Sequence, residues 1–327
     1  MTTWAVASPP AAVPATARAQ ALVSAIGAVV LDRHEQNSLL VTAVLAGGHV
    51  LLEDLPGTGK TTLARTLAGA LGTESRRIQA TADLLPADVT GSGMWDPVRG
   101  GFVFVPGPLF TSVVLVDELN RTPPRTQSAF LEAMDEQAVT VDGVRHQLPD
   151  PFVVVATQNP LDQHGTYPLP EGQLDRFTLV LRLGRNGPET ERRVLRAALR
   201  GTGGGGGVGP DGVQPVLDPA GLRGLRSAVA AVHVADAVLD YAVALVEATR
   251  RSHALALGAS SRAAASLLRC AQARALLAGR THVLPDDVKR LAAVVLGHRV
   301  VPAGGAAGSS EGAAIVAQLV ATLPVPT

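Results

Sequence analysis

The chain has 327 residues, 46% hydrophobic and 17% charged, which is enough to bury a sizeable core and excludes a disordered composition. Formal net charge is 0 and the pI is near 7.1, so no global basic surface argues for nucleic acid. One cysteine, Cys270, excludes an intrachain disulfide and fits a reducing, cytoplasmic compartment.

The N-terminal stretch "MTTWAVASPPAAVPATARAQALV" is broken by prolines and lacks a basic n-region, so it does not read as a signal peptide. No apolar run reaches the roughly 18 residues that would predict a membrane span. Four Val- and Leu-rich runs, at 49–53, 113–118, 152–159 and 178–183, predict strands buried on both faces of a parallel sheet. "KTTLARTLAGAL" predicts a helix after the first run. "TPPRTQSAFLEAMDEQ" predicts another after the second, with Pro123 and Pro124 at its start and Phe130, Leu131 and Met134 on one face.

Two hairpins interrupt this alternation. "MWDPVRGGFVFV" (94–105) turns at Gly100–Gly101, and "AVTVDGVRHQL" (138–148) turns at Asp142–Gly143. After about residue 184 the pattern becomes helical, interrupted by a glycine-dense linker or loop tip at 201–210. Asp286 and Asp287 suit the first turn of one late helix. Cys270, inside "AAASLLRCAQARALL", reads as a small buried residue. The expected architecture is an α/β nucleotide-binding core over 1–186, followed by a smaller all-helical domain over 187–327.

"LLEDLPGTGKTTLA" (51–64) follows a strand and opens a helix, the setting of a phosphate-binding loop. Pro56, Gly57, Thr58, Gly59, Lys60, Thr61 and Thr62 form the candidate nucleotide contacts. The glycines let backbone N–H groups approach phosphate oxygens. Lys60 suits the β- and γ-phosphates, and the Thr61 hydroxyl suits Mg²⁺. Asp54 stands at the first glycine position of the general pattern. Of the 28 basic residues only Lys60 and Lys289 are lysine, so a lysine here is a choice rather than a generic surface charge.

"VVLVDELN" ends a buried strand in two carboxylates. Neighbouring strand residues face opposite ways, so Asp117 suits the surroundings of the Mg²⁺ and Glu118 suits the attacking water. A pair of solvated charges at a strand end is the plainer alternative. Asn159, in "ATQNP", either reaches the γ-phosphate or makes an Asn-Pro turn. Arg176, in "QLDRF", has three readings: a surface charge, the partner of Asp175, or a catalytic group whose target lies elsewhere. Arg262 sits in a helix's first turn behind the cap candidates Ser260 and Ser261, where a cation is unfavourable. It is either a tolerated surface arginine or one that reaches phosphate. The eight histidines show no paired metal spacing and read as structural or solvated.

From about Ala46 to the C-terminus the chain resembles the MoxR branch of the AAA+ ATPases. The resemblance rests on "LLEDLPGTGKT", "DLLPADVTG", "FVPGPLF", "VDELNRTPPRTQSAFLEAM", "ATQNP", "GTYPLPEGQLDRF" and "GASSRA", in the family's order. It implies an AAA+ P-loop parallel-sheet domain with a smaller helical lid. It implies that Lys60 and Thr61 belong to Walker A, Asp117 and Glu118 to Walker B, and Asn159 to sensor 1. Arg176 matches the arginine finger and Arg262 matches sensor 2. The two hairpins match inserts that face the pore or the client in related machines. ATP and Mg²⁺ are the implied cofactors. A hexameric ring and a client protein, such as one with a von Willebrand factor A domain, are the implied partners. Ser261 and His164 depart from the family's usual proline and glutamate, and 201–210 resembles a private insertion.

The reading is therefore an ATP-hydrolysing remodelling machine acting on a partner protein. The alternative on the same core is a motor or initiator acting on nucleic acid, which the neutral charge disfavours. A small-molecule kinase is disfavoured by the Asp117–Glu118 pair and the helical lid. A GTPase is disfavoured because neither lysine lies in an Asn-Lys-x-Asp motif.

Overall fold

The computed structural model describes residues 14–53, 58–159, 165–184, 187–199, 212–305 and 310–325. Asp54, Pro56, Gly57, His164 and the glycine-dense run at 201–210 lie outside the described residues. Helices α1 (Ala15–Val29) and α2 (His34–Leu45) lead into β1 (Val50–Glu53) and α3 (Lys60–Ala70). Then come β2 (Ser75–Gln79), α4 (Pro86–Thr90) and a hairpin of β3 (Gly91–Asp96) and β4 (Gly101–Pro106). Strand β5 (Val113–Asp117) and α5 (Pro124–Glu136) precede a second hairpin, β6 (Ala138–Val141) and β7 (Val144–Gln147). Strand β8 (Val153–Gln158), α6 (Glu171–Leu174) and β9 (Leu179–Leu181) complete the sheet-forming part. The rest is α7 (Pro188–Leu199), α8 (Pro219–Ala230), α9 (Asp236–Arg251), β10 (Leu255–Leu257), α10 (Ser261–Leu277), α11 (Pro285–Leu296), β11 (Val301–Pro302) and α12 (Ser310–Thr322).

The central sheet runs β2-β5-β8-β1-β9, and every pair in it is parallel. The four apolar runs form four of these strands. Alternate residues explain why they read as continuous: Leu52, Leu115 and Val155 enter one apolar cluster, while Leu51, Val114 and Val154 enter the other. The fifth strand, β2, has no apolar run to announce it. Of Ser75–Gln79 only Ile78 is buried, because β2 is the sheet edge and pairs with β5 alone.

One apolar cluster joins α1, α2 and α3 to residues of α8 through α12, and Cys270 sits inside it fully buried. The other lies under α5 and holds the buried Phe130, Phe152 and Phe177. A short antiparallel ribbon, β10–β11, sits among the C-terminal helices.

The second hairpin turns as expected. Asp142 and Gly143 have φ values of 51° and 77°, the mirror-image turn that suits twisted strands. The first differs by a few residues. Its strands pair Asp96 with Gly101, so the loop is 97–100 and Gly101 already belongs to β4. The Asp96 carboxylate accepts from the Val98 and Arg99 N–H groups and closes that loop.

Candidate functional site

Strands β1 and β8 are neighbours whose onward connections leave in opposite directions, toward β2 and toward β9. That arrangement opens a crevice at the carboxyl ends of the strands. The candidate phosphate loop follows β1 there, and Asn159 follows β8. Gly59 caps α3 with φ 92°, a left-handed conformation that glycine takes without strain. Lys60 is the first residue of α3, with Thr61 and Thr62 in its first turn and Thr58 before the cap. Lys60, Thr61, Asp117, Glu118 and Asn159 line one cleft.

The two carboxylates of this cleft part for a reason other than the pleat. Strand β5 ends at Asp117, and Glu118 takes a left-handed conformation with φ 60° and ψ 48°. The Thr157 hydroxyl accepts from the Glu118 N–H at 2.9 Å and fixes that turn. Glu118 pairs with Arg121 at 3.0 Å. The Asp117 carboxylate is only 9% exposed and accepts from the Nε of Arg77 at 2.6 Å.

Arg77 also lines the cleft, and nothing in the sequence marked it. It lies on the polar edge strand. Gln79, two residues on, pairs with Asp117 across the β2–β5 register. The other unmarked residue is Glu53, buried at the end of β1, which accepts from Gln158 at 2.5 Å and Arg182 at 2.6 Å.

Arg176 and Arg262 are not in this cleft. Both line a second cleft of about 450 Å³ together with Gly48, which precedes β1, and Thr178, which precedes β9. In a parallel sheet that is the opposite, amino-terminal edge. Arg262 therefore lies in a different cleft from Lys60 of its own chain. The Asp175 reading of Arg176 is corrected. Asp175 pairs with Arg299 at 3.1 Å and accepts from the Ser260 hydroxyl at 3.3 Å. Arg176 instead donates to Oδ2 of Asp135, at the end of α5, and Arg262 donates to Oδ1 of the same carboxylate. Ser260 caps α10 as expected, accepting from the Ala263 N–H at 3.1 Å. Asp135 thus offsets the cation in that first turn.

The second cleft is electropositive. Arg176, Arg262, Arg269 and Arg299 face two carboxylates, Asp135 and Asp175. Burial and the neighbouring Arg262 lower the pKa of Arg176. Burial pushes Arg299 down to about 10, against the pull of Asp175. His49, also in this cleft, is lowered to about 4 by burial and is neutral. Its Nδ1 accepts from the Val154 N–H, so its Nε2 donates to the Met134 carbonyl.

A family model described as "ATPase family associated with various cellular activities" matches residues 49–179, and an AAA lid domain model matches 247–319. The chain is 42% identical to the Bacillus subtilis protein YeaC, covering 93% of each. It is 36% identical to the chaperone MoxR1 of Mycobacterium tuberculosis, over 84% of this chain and 73% of that one. It is 32% identical to the protein MoxR of Paracoccus denitrificans, over 93% and 95% respectively. A crystal structure of a Cytophaga hutchinsonii protein superposes with a TM-score of 0.85 at 32% identity, covering 96% of each chain. Among the described residues no helix is long and apolar enough to cross a membrane.

Proposed function

Because this chain belongs to the MoxR family of AAA+ ATPases, we propose that it hydrolyses ATP in a ring of like subunits and uses the cycle to remodel a partner protein. One observation carries the reading. Lys60, Thr61, Asp117, Glu118 and Asn159 meet at one edge of the sheet, while Arg176 and Arg262 meet at the other. A group at the far edge serves hydrolysis only on a second subunit.

In this proposal the backbone from Pro56 to Thr62 cradles the phosphates, and Lys60 neutralises the β- and γ-oxygens. Glu118 leaves Arg121 and takes the proton of the attacking water, which Asn159 orients. Arg176 and Arg262 of the neighbour meet the charge on the transferring phosphoryl group, and the products are ADP and phosphate. Mg²⁺, when bound, supplies charge neutralisation on the β- and γ-oxygens. Thr61 and Asp117 are hard oxygen donors in one cleft, and they fit that ion. No group of three or more His, Cys, Asp or Glu among the described residues could hold a metal alone. That suits an ion completed by phosphate and water.

We take 1–186 as the core and 187–327 as the lid, a hexamer as the ring, and a client such as a von Willebrand factor A domain protein as the target. The hairpin β3–β4 supports a client-facing role, since Met94, Trp95 and Phe102 are all more than half exposed. Subunit mixing tests the core of the proposal. Arg176→Ala and Lys60→Ala chains, each inactive, should regain ATPase activity when combined. No recovery at any ratio would defeat the trans arrangement.

A further inference from the structure

Asp135 joins two elements that are distant in sequence. Its two carboxylate oxygens take one arginine each, Arg176 from before β9 and Arg262 from the start of α10. Without that carboxylate two guanidiniums would face each other at close range; burial and then the charge of Arg262 lower the pKa of Arg176. The pair of contacts has the form of a phosphoryl group held by two arginines: two oxygens on one centre, one guanidinium on each.

The cleft has room and charge for a stronger anion than Asp135. Its arginines outnumber its carboxylates by four to two. Arg269, seven residues beyond Arg262 on α10, has no acidic partner among the described residues. The buried Nε of Arg176 and Nη1 of Arg299 have no acceptor among the described residues either. Buried guanidinium donors without acceptors are costly, and they mark a place where an anion is expected.

We propose that Asp135 is a positioning residue: it holds Arg176 and Arg262 together in the free subunit and yields them to the polyphosphate of a second copy's nucleotide. This rests on the reading that both arginines serve a neighbour. Asp135 thereby keeps the two cations ordered and neutralised until a competing anion arrives. It makes no contact with the reacting atoms.

The test is calorimetric titration of inorganic tripolyphosphate into the full chain carrying Lys60→Ala, which removes the lysine of the phosphate loop. A further Arg176→Ala/Arg262→Ala pair in that chain sets the background. Adding Asp135→Asn should tighten binding at least five-fold, within the usual range of coupling between two ligands of one site. Asp135→Glu should leave it near the starting value. Asp135→Ser supplies a second neutral side chain, so one poorly folding variant does not decide the result. A merely structural Asp135 would weaken binding when lost, so tightening is the discriminating sign. Unchanged or weaker affinity in folded neutral variants overturns the proposal, as does binding no better than background in all of them. The titration needs no assembly. Failure of subunit mixing therefore speaks against the trans reading, and failure of the titration speaks against Asp135.

Discussion

The Nε of Arg77 donates to Oδ2 of Asp117 at 2.6 Å, joining the edge strand β2 to the end of β5. Asp117 is nearly buried, and a buried carboxylate without a counter-charge is strongly unfavourable. Arg77 itself is 57% exposed, which weakens the pair by solvent screening.

Replacing Arg77 by Gln should therefore lower stability by about 1 kcal/mol in metal-free buffer. Mg²⁺ with ATP should narrow the gap to wild type, because the metal then supplies the positive charge. Thermal unfolding with and without Mg²⁺–ATP reads both effects. A variant as stable as wild type without metal would remove Arg77 as the counter-charge of Asp117.

Glu118→Gln should bind ATP within a few-fold of wild type and turn over at least about 100-fold more slowly, the usual worth of a general base. Phosphate release and nucleotide titration measure the two quantities separately. Near-normal turnover would take Glu118 out of the mechanism.

Arg176→Ala should lose about 10³-fold in turnover. Arg262→Ala should also slow turnover. Both should leave the ATP affinity of the isolated chain unchanged, since both side chains lie at the far edge of the sheet. A large loss of affinity in the isolated Arg262→Ala chain would bring that arginine back to its own nucleotide.

Two buried histidines give the stability a pH dependence with a defined sign. Burial lowers His49 to about 4 and His298 to about 3, from an ordinary value of 6.5. Between these values the unfolded chain binds more protons than the folded one. Stability is thus fully present above pH 6.5 and falls as the pH drops towards 4, with a slope approaching about 1.4 kcal/mol per pH unit for each ring. Chemical denaturation across that window checks it. A flat profile would mean the rings are not held neutral.

Cys270 is fully buried, and burial pushes its thiol up to about 12. The native chain should resist thiol reagents at neutral pH and react only on unfolding. Labelling that matches a free thiol in rate would contradict the packing around α10.

The features that could be read from the sequence are those in which structure and chemistry share a short stretch of chain. A strand, a glycine turn and a helix start bring Gly59, Lys60 and Thr61 together within one peptide segment. Asp117, Glu118 and Asn159 end apolar runs, and such runs declare buried parallel strands by hydrophobicity alone. The hairpin turn at Asp142–Gly143 is legible because two positive φ angles in succession demand that chemistry.

The counter-ions were decided only by the tertiary structure. Asp175 adjoins Arg176 in sequence, yet α6 ends there in a helical conformation, and neighbours on a helix point apart. The partner of Arg176 is instead Asp135, 41 positions earlier, and that same carboxylate takes Arg262 from 127 positions later. Arg77 likewise finds Asp117 only because β2 pairs with β5. Local patterning determines which elements form and what each end carries. The order of strands in the sheet and the contact of Arg262, at the start of α10, with Asp135, at the end of α5, decide which charges meet, because ion pairs act through space and have no period along the chain.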